Sequence, residues 1–203
     1  MKLYDGGRAP NPRRVSVFLA EKGIDLPRVP VDMGALGHKA PEVAALNPLM
    51  QLPVLVLDDG TVLTESVAIC RYLEALHPEP PLFGTDPRDQ AIVEMWNRRV
   101  EFNFFAAVAA AFRHTHPAMK DWEVPQIPAW GEANRPRALA FLDHLDGELG
   151  TRRFIAGDRY TIADITALVA VQFMKPARID RPTHLKHFSR WLEEVSVRPG
   201  AAP

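Results

Sequence analysis

The chain has 203 residues, of which 47% are hydrophobic and 24% charged, the composition of an ordinary globular protein that buries a core without disulfides or metals. Its formal net charge is -1 at pH 7 and it carries no basic stripe, which argues against nucleic acid and anionic membranes as partners. The single cysteine, Cys70, excludes an internal disulfide. No apolar run reaches the length of a signal peptide's core or of a membrane span, so we expect a cytoplasmic protein.

The N-terminal residues predict a strand followed by a helix. Residues 3–4 are apolar and open a short strand, and a loop rich in Gly and Pro follows. Asn11 is a favoured N-cap residue, and Pro12 suits the first position of a helix. Apolar residues then recur at helical spacing as far as Gly23, a typical C-terminal stop.

Three more strands and a helix are predicted before residue 78. The strands are residues 28–32, 53–57 and 61–63, with a middle segment between the first two of them. Ser66 is expected to cap a helix over residues 66–76. With the middle segment taken as helical, the order of elements is βαβαββα, an α/β domain over residues 1–78.

The sequence changes character after a Pro-rich segment, residues 79–87, which predicts a semi-rigid linker. Helical periodicity then dominates residues 88–203, so the second domain is expected to be all-helical. Asp86–Pro87 predicts the start of a long helix that reaches about His114, and Thr161 with Asp164 resembles a capping box. The remaining helices are predicted around residues 139–149, 165–171 and 184–197.

Two short motifs stand out in the first domain, Gln51-Leu52-Pro53-Val54 and, eleven residues further on, Glu65-Ser66. In this order and spacing they resemble the glutathione-binding half of cytosolic glutathione S-transferases, with bacterial theta- and nu-like members as the nearest pattern. The resemblance implies a thioredoxin-like N-terminal domain and a helical C-terminal domain. It also implies a cis peptide bond between Leu52 and Pro53. A bond that precedes proline is the only kind that adopts cis at modest cost.

The resemblance assigns roles in glutathione binding to several residues. The backbone of Leu52 would pair with the cysteinyl part of the peptide, as an added strand does. Glu65 would take the ammonium of the γ-glutamyl group and Ser66 its carboxylate, aided by the helix dipole, with Gln51 at the same end. His38, and Lys39 after it, would bind the glycyl carboxylate.

One expected feature is missing from the loop after the first strand, residues 5–12. Related enzymes place a serine, tyrosine or cysteine there to stabilise the glutathione thiolate, and this loop contains none of them. Asn11 is the first candidate for that role, because its amide lies at a helix start. Arg8 or Arg13, which supply positive charge, and Tyr4 remain alternatives.

The resemblance implies a glutathione transferase that joins glutathione to a small hydrophobic electrophile. It needs no cofactor beyond glutathione as co-substrate, and a homodimer is expected. The residues expected to line the electrophile pocket are Phe104, Phe105, Val108 and Phe112, and no metal site is expected. Two alternatives remain open at this point: a glutathione-dependent disulfide reductase or peroxidase, and a binding protein without catalysis.

Overall fold

The computed structural model describes residues 1–202 and divides into two compact units. One comprises Met1–Leu82 together with Ala202, and the other Phe83–Ala201. The division falls within the Pro-rich segment that the sequence marks as a linker. Within residues 1–202, no helix combines the length and apolar character that crossing a membrane would require.

The first unit has the predicted βαβαββα order of elements. The elements are β1 (Lys2–Asp5), α1 (Pro10–Lys22), β2 (Arg28–Pro30), α2 (Pro41–Leu46), β3 (Val54–Val56), β4 (Val62–Leu63) and α3 (Ser66–Leu76). The sheet order is β2-β1-β3-β4. Strand β1 pairs in parallel with β2 and antiparallel with β3, and β3 pairs antiparallel with β4. The predicted fold class is therefore confirmed.

Alternation along the central strands gives the sheet two apolar faces. Tyr4 pairs with Val54, and both belong to an apolar cluster that also contains Val43 of α2. Leu3 and Leu55, the neighbouring pair, are fully buried and point to the opposite face, because side chains alternate along a strand. Helices α1 and α3 pack against each other, and α3 also contacts β3.

Two predicted helix caps are wrong. Helix α1 begins at Pro10 with Ala9 as its N-cap, so Asn11 lies inside the first turn and its side chain caps nothing. Proline at the first helical position is favoured because its fixed φ suits a helix, and Pro10 takes that position ahead of Pro12. Helix α3 has Glu65 as its N-cap and Ser66 as its first residue, which leaves the Ser66 hydroxyl available for other contacts.

The last three predicted strands are slightly too long, whereas the first, predicted at residues 3–4, extends over Lys2–Asp5. Strand β2 ends at Pro30 rather than residue 32, since β1 ends at Asp5 and the Val31 amide makes the last bond to the Asp5 carbonyl. Strand β3 begins after Pro53, which has no N–H to donate to a ladder.

Over residues 83–201, the second unit contains five α-helices. They are α4 (Pro87–Val100), α5 (Ala106–Thr115), α6 (Pro128–Leu149), α7 (Ile162–Met174) and α8 (Lys186–Ser196). Asp86 caps α4 as predicted, because its side chain accepts hydrogen bonds from the amides of Arg88 and Asp89. A π-helical turn, Glu101–Phe105, joins α4 to α5, so the long predicted helix exists with one wide turn inside it.

Helix α7 is the centre of the second unit. Eleven of its thirteen residues are buried, as expected for a helix that is apolar all round. The predicted capping box is present, with Thr161 and Asp164 bonding each other's backbone amides. The buried Asp164 carboxylate also accepts the Ile155 amide and the Trp191 indole, so it ties α7 to α8. Burial raises the pKa of Asp164 to about 6.

Helices α5 and α6 approach each other closely at Gly131. A Cβ at this position would lie 2.5 Å from the Thr115 methyl carbon, Cγ2, which is shorter than any ordinary contact. Thr115 cannot easily turn away, because its hydroxyl donates to the Ala111 carbonyl at 2.7 Å. Gly147, in the same helix, has open space where its Cβ would be.

Alanine at these two glycines should therefore have opposite effects on stability. We expect Gly131→Ala to destabilise the protein by about 1–3 kcal/mol through overpacking. Gly147→Ala should stabilise it by about 0.5–1 kcal/mol, because alanine loses less backbone entropy in a helix. Chemical denaturation of both variants measures the difference. Equal effects would contradict the close approach of α5 and α6.

Candidate functional site

A shallow polar cleft in the first unit brings most of the predicted glutathione contacts together. It holds about 210 Å³ of space open to solvent. Three pieces of backbone form it: the start of α1, the turn before β3 and the start of α3. Its lining residues are Asn11, Asn47, Gln51, Leu52, Pro53, Glu65 and Ser66.

The turn before β3 presents an unused stretch of backbone. The Leu52–Pro53 peptide bond is cis, as predicted. The side chain of Leu52 is buried in the apolar cluster beside Val43 and Val54. Within residues 1–202, neither the amide nor the carbonyl of Leu52 has a backbone hydrogen-bond partner. Both groups are therefore available to an extended peptide.

Asn47 holds the turn that carries Gln51. This buried side chain donates from Nδ2 to the Gln51 carbonyl at 2.9 Å and accepts the Leu49 amide at 3.1 Å. The two bonds close the turn over residues 47–51, and Gln51 itself is exposed at the cleft.

Glu65 adopts a backbone conformation that is rare for a residue with a side chain. Its φ is 64° and its ψ is 114°, a combination that ordinary residues avoid. Holding such a conformation costs on the order of 1–3 kcal/mol, and such residues concentrate at functional sites. Its exposed carboxylate lines the cleft and has no hydrogen bond or ion pair to any residue of the described chain.

Ser66 is tied to helix α1 by two side chains. Its Oγ accepts a hydrogen bond of 2.8 Å from Nη1 of Arg14, whose side chain is fully buried. The same hydroxyl donates to Oδ1 of Asn11 over a longer distance of 3.4 Å. Asn11 and Arg14 are three residues apart on α1, so they share a face and reach the same hydroxyl.

The first turn of α1 has a single backbone donor. Pro10 and Pro12 occupy the first and third helical positions and have no N–H, whereas the Arg13 amide already bonds the Ala9 carbonyl. The Asn11 amide is left without an intrahelical partner, as first-turn amides are. With Oδ1 of Asn11 accepting from Ser66, Nδ2 is the donor that its side chain retains.

The other predicted thiolate donors lie elsewhere. Tyr4 packs in the apolar cluster, with Lys2 over its ring, and it does not line the cleft. Arg8 is exposed outside the cleft lining, and Arg13 donates to the Ala202 carbonyl. Of the candidates, Asn11 is the one that lines the cleft.

The two residues predicted to bind the glycyl carboxylate do not line the cleft. His38 lies in a short 3₁₀ turn, Gly37–Lys39, and only 3% of its surface is exposed. Burial, with Lys39 next to it, lowers the pKa of His38, so the ring favours its neutral form. Lys39 is exposed. This placement departs from the expectation, because a buried ring has little surface for a ligand.

The four residues predicted to line the electrophile pocket differ in exposure. Phe104 and Val108 are fully buried, and Phe104 stacks on Phe141 with ring centroids 6.1 Å apart. These two therefore line no open pocket, which departs from the expectation. Phe105 is also buried, whereas Phe112 is partly exposed and packs against His116 and Phe173.

Metal and cysteine chemistry find no support in the described part of the chain. No group of three or more histidine, cysteine, aspartate or glutamate side chains is arranged to hold a metal ion among residues 1–202. Cys70 is fully buried, and this burial raises the pKa of its thiol. Cys70 is therefore a core residue.

The cleft combines groups that fit a zwitterionic peptide. The Glu65 carboxylate can bind a cation, whereas the Ser66 hydroxyl and the first amides of α3 can bind an anion. The Leu52 backbone suits an extended chain, and the Asn11 donors suit a thiolate. Sequence reasoning missed Asn47 and Arg14. The signals were the Asn47–Pro48 dipeptide and the position of Arg14 one turn before Phe18, on the buried face of α1.

Comparison with known families and proteins identifies the family of the chain. A family model described as "Glutathione S-transferase, N-terminal domain" matches residues 9–76, and one described as "Glutathione S-transferase, C-terminal domain" matches residues 128–194. Glutathione S-transferase 2 of Saccharomyces cerevisiae is 33% identical over 202 residues, covering 98% of this chain and 87% of the yeast protein.

Solved structures give the same result. A glutathione S-transferase domain-containing protein of Marinobacter aquaeolei superposes with a TM-score of 0.95 at 39% identity, covering 99% of this chain and 100% of the other. Gtt2 of Saccharomyces cerevisiae superposes with a TM-score of 0.93 at 32% identity, covering 99% and 98%.

Proposed function

The chain belongs to the glutathione S-transferase family and is a glutathione transferase, and we propose that it binds glutathione in the cleft formed by Leu52, Glu65 and Ser66. The observation that carries the proposal is the convergence of these groups in one cleft with Asn11. Each matches one part of the peptide: the cysteinyl backbone, the γ-glutamyl ammonium, the γ-glutamyl carboxylate and the sulfur.

The reaction requires glutathione to lose its thiol proton. A thiol of this kind has a pKa of about 8.5, so only a few per cent is thiolate at neutral pH without help. In the proposed arrangement, the amide N–H and Nδ2 of Asn11, at the positive end of the α1 dipole, stabilise the thiolate and lower that pKa. The thiol proton goes to solvent.

The thiolate then forms a bond to the electrophilic carbon. With a chlorinated nitroaromatic, sulfur bonds the ring carbon, and chloride leaves with the electron pair of the broken carbon–chlorine bond. The cleft contributes by positioning the sulfur and by stabilising its charge before the reaction. We propose a small hydrophobic electrophile and a homodimer. The cytoplasmic location stays a prediction.

The two alternatives are not favoured. The yeast relative is named a glutathione S-transferase, and the match covers 87% of its length. A glutathione-dependent reductase or peroxidase and a binding protein without catalysis remain distinguishable by assay.

We propose Lys39 rather than His38 as the contact for the glycyl carboxylate, because its side chain is exposed.

Glu65 should lower the stability of the protein and strengthen its binding of glutathione. Glu65→Gly removes the side chain that makes a φ of 64° unfavourable and should stabilise the protein by about 1–3 kcal/mol. Both Glu65→Gly and the nearly isosteric Glu65→Gln should weaken glutathione binding about tenfold or more, through loss of a charge-assisted hydrogen bond. Calorimetric titration and chemical denaturation check the two effects, with Glu42→Gln, an exposed acid of α2, as control. Unchanged affinity in both variants would remove Glu65 from the site.

Asn11 should affect turnover more than binding. Asn11→Ala removes Nδ2 and leaves the backbone amide, so we expect kcat to fall about tenfold or more with little change in KM for glutathione. The thiolate absorbance of bound glutathione, followed against pH, should show a raised thiol pKa in this variant. Conjugation of a chlorinated nitroaromatic measures kcat. An unchanged thiol pKa together with an unchanged kcat would exclude the side chain as the thiolate donor.

A further inference from the structure

Arg14 lies behind the cleft and contacts the cleft residue Ser66. Its side chain is fully buried in the first unit, yet Nη1 lies 2.8 Å from Oγ of Ser66. We propose that Arg14 is a positioning residue that orients the Ser66 hydroxyl as a donor toward the γ-glutamyl α-carboxylate, and so selects ligands that carry this carboxylate. The inference rests on the proposed function of the cleft.

The hydrogen-bonding capacity of a hydroxyl explains this orientation. Ser66 has one O–H to donate and two lone pairs that accept. An arginine has no acceptor, so the bond from Arg14 must occupy a lone pair of Oγ. The Ser66 proton is thereby directed away from Arg14, to the side where Asn11 and the cleft lie.

The Ser66 proton is held only weakly when no ligand is present. Its acceptor, Oδ1 of Asn11, is 3.4 Å away, well beyond the usual 2.7–2.8 Å for a hydroxyl donor. A carboxylate oxygen in the cleft is a stronger acceptor and would accept a short, charge-assisted hydrogen bond from the Ser66 hydroxyl. The guanidinium on the opposite side polarises the hydroxyl and strengthens that bond.

Two other charged side chains, Glu74 and Lys22, lie in the same part of the first unit as Arg14. Arg14 and Glu74 both lie near Cys70 and shift its thiol pKa in opposite directions. Glu74 in turn pairs with Lys22 at 2.5 Å, and the Lys22 side chain is fully buried. Because Arg14 is fully buried, salt screens its charge only weakly.

Lys22 provides a matched control. It is a second buried cation on α1, at the other end of the helix, and it bonds Glu74 and the carbonyls of His77 and Pro80 rather than any cleft residue. Lys22→Met and Arg14→Met thus remove the same charge from the same helix. Only Arg14→Met changes the contact with Ser66.

The test compares two ligands in calorimetric titrations. One is glutathione, and the other is the analogue in which 4-aminobutyrate replaces γ-glutamate, which lacks only the α-carboxylate. We expect the wild type and Lys22→Met to prefer glutathione, and Arg14→Met to lose about tenfold of that preference with little change in analogue binding. In a Ser66→Ala background, Arg14→Met should have less than about a threefold further effect.

Each result has one meaning for the proposal. If Arg14→Met weakens both ligands equally, or acts as strongly without the Ser66 hydroxyl, the positioning role is wrong. If Arg14→Met does not fold, Arg14→Lys keeps the cation without the planar fork. It should then lower the preference measurably, and a preference equal to the wild type would overturn the proposal. A wild type with no preference between the ligands would instead contradict the proposed function.

Discussion

The hydrogen bond from the buried Arg14 guanidinium to the Ser66 hydroxyl joins the starts of helices α1 and α3, and the cleft depends on that junction. Helix α1 carries Asn11 one turn before Arg14, and α3 begins at Ser66 directly after Glu65. A shift between the two helices would separate Asn11 from Glu65 and Ser66. The bond is buried, so its loss would leave polar groups in the interior without this contact, which is costly.

The strained backbone at Glu65 belongs to the same arrangement. A conformation that ordinary residues avoid persists only where its surroundings hold it in place, and here the sheet strand β4 and helix α3 flank it directly. The backbone of Glu65 starts helix α3, because its carbonyl accepts the Ile69 amide, whereas its side chain makes no hydrogen bond or ion pair within the described residues. The carboxylate instead lines the cleft beside the first residue of α3.

Much of this arrangement was predictable from the sequence, and the reason differs between residues. The order of elements follows from hydrophobic period and turn residues, and Asp86, Gly23 and the Thr161–Asp164 box act as their types predict. The caps at Asn11 and Ser66 were mispredicted because local preference favours them, whereas Pro10 and Glu65 occupy the decisive positions. The roles of Arg14 and Asn47 depend on contacts across the fold, which no local pattern records. The exposures of His38 and Phe104 are likewise properties of packing.

A crystal structure with glutathione bound tests most directly the proposed placement of the γ-glutamyl end at Glu65 and Ser66 and of the sulfur at Asn11. We expect the α-carboxylate within hydrogen-bond distance of the Ser66 hydroxyl, the ammonium beside Glu65, and the cysteinyl backbone paired with Leu52. The sulfur should lie within about 3.5 Å of the Asn11 amide or Nδ2. Glutathione bound with its γ-glutamyl end away from Glu65 and Ser66, or with its sulfur on another donor, would contradict the account.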